Sequence, residues 1–373
     1  DGRAAIGPML REYIISESMH GLGIPTTRSL AVVKTGEKVI RETPLDGAVL
    51  TRVAESHIRV GTFQYALIDE NKKNLKTLFD YTIDRHYSHI KDSKTPAIDL
   101  LKIVIEKQTK LVVDWMRVGF IHGVMNTDNT SISCETIDYG PCAFMDSYEA
   151  NKVFSSIDQY GRYAFSNQSR VAPWNLSRLA ETILFLISKN TSDAIKVVEE
   201  ILFDFDKNFN NSLDILSSRK LGFKNYSKKT SSLYSELLNL MEAGKADFTG
   251  TFKSLKETLI KEDKTIFLNN FKNSDEDNQC ANSQWLDAWR KLLQENSGSK
   301  TEAIELLSSH NPEFIMRNHL VENAIGKATK GDFSDFEILC DLLITPFEVK
   351  ENHEAFYQAP TDSEVVHQTF CGT

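Results

Sequence analysis

The main β-prone stretches of this 373-residue chain crowd into residues 29–54, while from about Phe63 onward the pattern turns helical and after Trp174 nearly everything reads as amphipathic helix. Strands gathered at one end and helices at the other specify an α+β protein with its sheet confined to one small lobe. Three short runs make up that sheet region: SLAVVK (29–34), EKVIRE (37–42) and AVLTRVA (48–54), with Thr35-Gly36 and Asp46-Gly47 expected as the turns between them. A helical run over 6–22 precedes them, with Leu10, Ile14 and Leu22 on its apolar spacing and Gly23 and Pro25 stopping it. One helix packed on a small antiparallel sheet is the economical arrangement.

The spacing predicts the longest helix over 97–118, ended by Gly119, and further amphipathic helices over 175–188, 192–206, 230–243, 249–262, 283–296 and 300–308. The Asn/Ser/Lys-rich stretches 217–230 and 270–282 read as loops. The expected organisation is a small β-containing N-terminal lobe over 1–62 and a large helical C-terminal lobe over 63–373. The second carries a polar loop at 122–140 and a C-terminal tail.

Charge and cysteine usage narrow the function classes. Lys and Arg number 43 against 52 Asp and Glu, a net charge of −9. A general nucleic-acid binder needs a basic surface to neutralise phosphates, so nucleic acid is not the expected partner. No apolar run of about 18 residues occurs, so no membrane span is expected. The cysteines (Cys134, Cys142, Cys280, Cys340 and Cys371) are scattered without a C-x-x-C pair, which argues against a zinc ribbon or a thioredoxin-type motif. A reducing compartment is the simplest setting. The chain begins Asp-Gly-Arg rather than Met, so the natural N-terminus is expected upstream and no targeting segment is visible.

The chemistry concentrates in HGVMNTDNTSISCETIDYG, residues 122–140. Asp128 and Asn129 follow the long helix, and Asp138 comes nine residues after Asn129, just before Tyr139-Gly140. A carboxylate, a carboxamide and a second carboxylate are hard oxygen ligands of the kind Mg²⁺ shares with nucleotide phosphates. If the strand-like pieces at 131–133 and 136–138 form a hairpin, Asn129 and Asp138 converge on one ion while Asp128 faces an incoming hydroxyl. That division of labour belongs to kinase-type phosphoryl transfer. Acid and amide residues are also ordinary turn formers, and these residues alone leave both readings open.

Arg52 and Arg59, seven apart in VLTRVAESHIRVG, could grip a triphosphate bidentately or stand as solvated surface charges. Glu12, in the first helix beside Arg11, is either a holder of a catalytic Lys or a solvated helix charge. Two decoys fail. Asp204-x-Asp206-x-Asn208 opens like a calcium loop, but Phe209 and Ile215 occupy the positions that need Gly and Glu. No H-E-x-x-H occurs, and His122 reads as a residue that orients the loop.

The segments DGRAAIGPMLREYIISESMHGLGIPTTRSLAVV, VLTRVAESHIRVGTF, HGVMNTDNTSISCETIDYGPCAFMD, YGRYAFSNQSRVAPWNLSRLAETI and NPEFIMRNHLVENAI together resemble the SelO (selenoprotein O) family, in order and over essentially the whole chain. The resemblance implies a two-lobed, protein-kinase-like fold that binds ATP in an inverted orientation. It implies transfer of AMP, rather than phosphate, to Ser, Thr or Tyr hydroxyls of proteins. On that basis Asp128 matches the general base, and Asn129 and Asp138 match the ligands of Mg²⁺, with Mn²⁺ as an alternative ion. Arg52 and Arg59 match phosphate-contacting arginines, and Asp1 with Gly2 matches a nucleotide-contacting Asp-Gly pair. Asp138 also lies near the nucleotide, and Glu12 matches the helix glutamate that pairs with the active-site Lys.

The family's glycine-rich turn and that Lys lie upstream of the Asp-Gly pair, and Lys34 and Lys38 fall in the wrong order to replace it. The chain is therefore expected to be a fragment of a longer enzyme. The alternative is a truncated, inactive nucleotide-binding pseudokinase or scaffold. Localisation is expected to be cytoplasmic in a bacterium and mitochondrial in a eukaryote. The family often carries a cysteine or selenocysteine near its end. Cys371, third from the C-terminus on a tail expected to be mobile, is thus a redox candidate, with Cys142 or Cys280 as its partner.

Overall fold

The computed structural model describes residues 2–68, 72–272, 275–296 and 299–370; Asp1 and Cys371 therefore lie outside the described residues. A two-residue strand β1 (Ala4–Ala5) leads into α1 (Ile6–Gly21), followed by β2 (Arg28–Ile40) and β3 (Pro44–Val53). These strands form an antiparallel sheet in the order β1-β3-β2.

Both expected turns are corrected by this sheet. Lys34 faces Ala48 and Lys38 faces Asp46, so residues 35–37 stand opposite Gly47 alone as a bulge within one long strand. A Cβ on Gly47 would come 2.7 Å from Thr35 Oγ1, so glycine is there to admit the bulge rather than to turn the chain. The reversal falls at residues 41–43, with Ile40 opposite Pro44.

The remaining elements are α2 (Val60–Ala66), α3 (Lys73–His86), α4 (Pro96–Arg117), β4 (Phe120–Ile121), β5 (Ala143–Phe144) and α5 (Gln168–Ile187). Then come α6 (Thr191–Phe203), α7 (Phe205–Lys220), α8 (Lys228–Ala243), α9 (Phe248–Lys261) and α10 (Thr265–Leu268). The last are α11 (Glu276–Asn296), α12 (Lys300–His310), α13 (Asn318–Ala328) and α14 (Ser334–Ile344). The chain is α+β, with a small sheet region and a mostly helical remainder. No described helix is long and apolar enough to cross a membrane. The one helix expected over 192–206 is two: Asp204 ends α6 and starts α7, which runs through the beginning of the expected 217–230 loop.

Two large apolar clusters hold most of the helices, and a small third one joins Ile6 and Leu10 of α1 to Ala48 of β3 and Ala328 of α13. The larger joins Ile14, Ile15 and Met19 of α1 to Leu100 and Val104 of α4 and Leu176 of α5. The other packs Phe248 and Phe252 of α9 against Trp285 and Trp289 of α11. Lys220 is buried beside this second cluster, 3.9 Å from the Phe252 ring centroid. Its Nζ donates to Arg117 O at 2.8 Å and to Asn311 Oδ1 at 2.9 Å. Burial pushes its pKa well down, while the carbonyl, amide and ring partners offset part of the cost of a buried ammonium.

At the end of α1, a Cβ on Gly21 would stand 2.0 Å from the Leu343 carbonyl oxygen of α14. Gly21→Ala must separate the two helices and should lower stability by about 1–3 kcal/mol in chemical denaturation. An unchanged midpoint would show that the contact yields freely.

The C-terminal tail is docked at Thr369, contrary to the expected mobile end. Thr369 N donates to Phe154 O at 2.8 Å, its carbonyl accepts from Ser156 N at 3.0 Å, and its hydroxyl donates to Pro141 O at 2.5 Å. Three hydrogen bonds on one buried residue fix the chain at that point.

Candidate active site

The polar loop is closed at its base by a short ladder in which Phe120 faces Phe144 and Ile121 faces Ala143. The expected hairpin inside the loop does not form. Ser131 instead bridges Arg59, and Thr136 bridges Thr26. Val60 N donates to Thr130 O and Ile132 N to Ile58 O, both at 2.9 Å; Thr136 N donates to Pro25 O at 2.9 Å. Each strand-like piece finds its backbone partner in the N-terminal region, which stitches that region to the loop.

His122 holds the loop from within. Its Nε2 lies 2.9 Å from Ile137 O, and Nδ1 accepts from Val124 N at 3.3 Å. These contacts fit the neutral tautomer protonated at Nε2, and burial pushes the ring's pKa down. The orienting role expected from sequence fits this geometry.

Asn129 and Asp138 come together without the hairpin. Asn126 Oδ1 accepts from Asn129 N at 3.0 Å and fixes the 3-10 turn Thr127–Asn129. Asn129 Nδ2 then donates to Val124 O at 3.0 Å and to Asp138 Oδ2 at 2.6 Å. Asp138 has φ +70°, a left-handed conformation that Asp and Asn tolerate better than most residues. Asp128, on the same turn, is exposed. Gly61 of α2 sits directly against it: a Cβ there would be 2.2 Å from Asp128 Oδ1.

Glu12 links the loop to the sheet. Its Oε1 accepts from Tyr139 N at 2.6 Å, and its Oε2 pairs with Arg52 Nη2 at 2.7 Å. Burial raises its pKa, the Asp138 charge adds to the rise, and Arg52 opposes it. Among the described residues, the basic partner of Glu12 is thus Arg52. Lys34 and Lys38 pair with Asp46 on the exposed hairpin.

Arg59 precedes α2, where its backbone N donates to Thr62 Oγ1 at 3.1 Å, and its Nε is buried without a hydrogen-bond partner. Gly2 is exposed just before β1; the register that pairs Ala4 with Ala48 and Ala5 with Gly47 carries this end toward the Leu50–Arg52 part of β3. The structure thus brings together Glu12, Arg52, Asn129 and Asp138 and sets Asp128 on the same turn as Asn129; among the described residues Gly2 makes no hydrogen bond to this group.

Sequence reasoning missed two contributors. Arg11 donates from Nε to Gly140 O at 2.8 Å and from Nη2 to Cys142 O at 2.5 Å, clamping the loop just past Asp138. Gly61 supplies the close approach to Asp128. Adjacency to Glu12 and to the Arg59 segment was the only signal for either. Cys142 is buried, donates through Sγ to Tyr139 O at 3.2 Å, and has its pKa pushed up to about 12 by burial, so it is no ready thiolate; Cys280 is exposed.

The donor set suits a nucleotide-shared divalent ion. Asp138 offers a carboxylate, and Asn129 Oδ1 has no hydrogen-bonded protein donor among the described residues. No group of three or more His, Cys, Asp and Glu is placed to hold a metal among those residues. An ion here would take most of its ligands from phosphate and water, which is the habit of Mg²⁺.

The family model described as protein adenylyltransferase SelO matches residues 1–344. The protein nucleotidyltransferase YdiU of Nitrosococcus oceani is 49% identical over 374 residues, covering 100% of this chain and 74% of its own length. Its counterpart in Pelagibacter ubique is 50% identical over 373 residues, covering 100% of this chain and 75% of its own. That of Bacillus mycoides is 46% identical over 374 residues, covering 100% and 74%. With the family matched over nearly its whole length, this chain belongs to the SelO family of nucleotidyltransferases.

Proposed function

We propose that the chain transfers adenylate from ATP to Ser, Thr or Tyr hydroxyls of proteins, within a kinase-like arrangement of its sheet and helices. The observation that carries this reading is the 2.6 Å approach of Asn129 to Asp138, with Asp128 exposed on the same turn. In the proposed reaction the hydroxyl oxygen attacks the α-phosphorus, the bond to the pyrophosphate oxygen breaks, and the hydroxyl proton passes to the Asp128 carboxylate. Asn129 and Asp138 would hold Mg²⁺ or Mn²⁺, which when bound neutralises phosphate charge.

Arg52 retains Nε and Nη1 for phosphate after giving Nη2 to Glu12, and the orphaned Nε of Arg59 suits the same use. Glu12 holds the backbone at Tyr139 and Arg11 holds it at Gly140, and together they position the Asp138 turn. Asp1 and Gly2 complete the nucleotide contacts in this reading. Cys371 is its redox element.

Incubation of the protein with ATP, Mg²⁺ and a protein pool should give adenylate mass additions on hydroxyl residues. Phosphate additions would replace this reading with a conventional kinase. Nucleotide-induced thermal stabilisation with no transfer would make the chain an inactive nucleotide-binding scaffold.

A further inference from the structure

The outer face of α5 carries a feature that the proposed reaction does not use. Arg170, Trp174 and Arg178 stand four residues apart and so form one stripe along the helix. Trp174 is 40% exposed, and Arg170 is exposed. Arg162, from the loop before α5, lays its guanidinium over the Trp174 ring at 4.7 Å from the centroid, and Arg178 approaches the same ring at 5.5 Å. Tyr160, two residues before Arg162, is 96% exposed. Trp and Arg are among the side chains that dominate binding at protein interfaces, and here Arg162, Trp174 and Arg178 form one ledge.

The charges on this ledge are unbalanced. Arg178 pairs with Glu181 at 2.6 Å. Asp158 accepts from the backbone N–H groups of Arg162 and Tyr163, each at 2.8 Å. Neither Arg162 nor Arg170 has a carboxylate partner among the described residues, in a chain whose net charge is −9. The helix that carries the stripe also packs on the polar loop through its opposite, buried face. Asn175, next after Trp174, is buried and donates to Met125 O at 2.9 Å, three residues before Asp128. Gln168 at the start of α5 accepts from His122 N at 3.0 Å. α2 packs against both α5 and the Thr127–Asn129 turn.

We propose that this ledge docks the protein substrate and selects acidic sequence around the target hydroxyl. Asp or Glu carboxylates of the substrate pair with the Arg162 and Arg170 guanidinium groups, and an apolar substrate side chain covers Trp174. The inference rests on the reading that protein hydroxyls are the acceptors.

The test has a binding arm and a transfer arm. Fluorescent Ser-containing peptides with Glu-rich, uncharged or Lys-rich flanks are titrated without nucleotide and read by anisotropy. The Glu-rich peptide should bind at least tenfold tighter than the Lys-rich one. The double variant R162E/R170E should lose or reverse that preference while its Mg–ATP affinity stays unchanged. In the transfer arm, the double variant and Trp174→Ala should raise KM for the Glu-rich peptide by tenfold or more, with kcat within twofold.

No preference in the parent, or a preference that survives charge reversal, overturns the proposal. Tighter binding of a single-stranded oligonucleotide than of the Glu-rich peptide, lost in the double variant, would assign the ledge to nucleic acid and overturn it too. If transfer is absent but the binding preference holds and reverses, the adenylate reading fails and the docking surface stands.

Discussion

Asp138→Asn should leave the chain folded while cutting adenylate transfer by on the order of 10²–10³-fold and weakening Mg–ATP binding. Asparagine is the informative substitution because residue 138 has φ +70°, a conformation that Asn adopts at lower cost than Ala. An amide oxygen at this position can still accept from Asn129 Nδ2, so the turn keeps its contact and only the charge is removed. The Glu12 network should survive as well. Asp138 is one of the charges that raise the Glu12 pKa, so its loss relieves Glu12 rather than straining the pair with Arg52. A metal-ligating carboxylate acts in the ground state and in the transition state, so affinity and turnover should fall together. Isothermal titration of Mg–ATP and initial-rate measurements check both. Unchanged values would make Asp138 a turn residue and remove the ion from this position.

What the sequence disclosed follows the range of the interactions involved. The boundaries of α1 and α4 come from local signals: apolar side chains at helical spacing, a stop at Gly23 and Pro25, and Gly119 after Val118. α7 was obscured because its buried positions include Ser217, Ser218 and Lys220, and Lys220 is held by partners as distant as Arg117 and Asn311. Asp46-Gly47 carries turn chemistry, yet the pair lies in β3 because the bulge at 35–37 needs a residue without a side chain opposite.

The site divides in the same way. Asp128, Asn129 and Asp138 were legible because they fall within eleven consecutive residues and carry residue types with a known division of labour. The partners that hold them were not. Glu12 reaches Tyr139 across 127 positions, and Arg11 reaches Gly140 across 129. No periodicity records a contact of that separation. The hairpin expected to bring Asn129 to Asp138 was the local answer; the fold uses Ile58–Val60 and Pro25–Thr27 as the flanking partners instead.

Asp128→Asn should reduce kcat by on the order of 10²–10⁴-fold, with Mg–ATP affinity within a factor of about three. Asp128 is exposed on the 3-10 turn, and its carboxylate makes no hydrogen bond within the described residues, so folding loses little. That separation of kcat from binding is the signature of a group needed for the proton of the attacking hydroxyl, in contrast to the coupled loss at Asp138. Gly61 supplies the internal control. A methyl group there would stand 2.2 Å from Asp128 Oδ1, so Gly61→Ala must swing the carboxylate aside. Ala is favoured over Gly in a helix by up to about 1 kcal/mol, so α2 itself should not be weakened. Gly61→Ala should therefore lower kcat by about tenfold through position alone, since misplacement of about 1 Å is enough to cost up to 10²-fold. In the Asp128→Asn background the methyl group should cost almost nothing further, because the group it displaces no longer takes a proton. Two independent, multiplying losses in that double variant would mean that Gly61 acts on something other than Asp128, and the assignment of Asp128 as the base would fall with it.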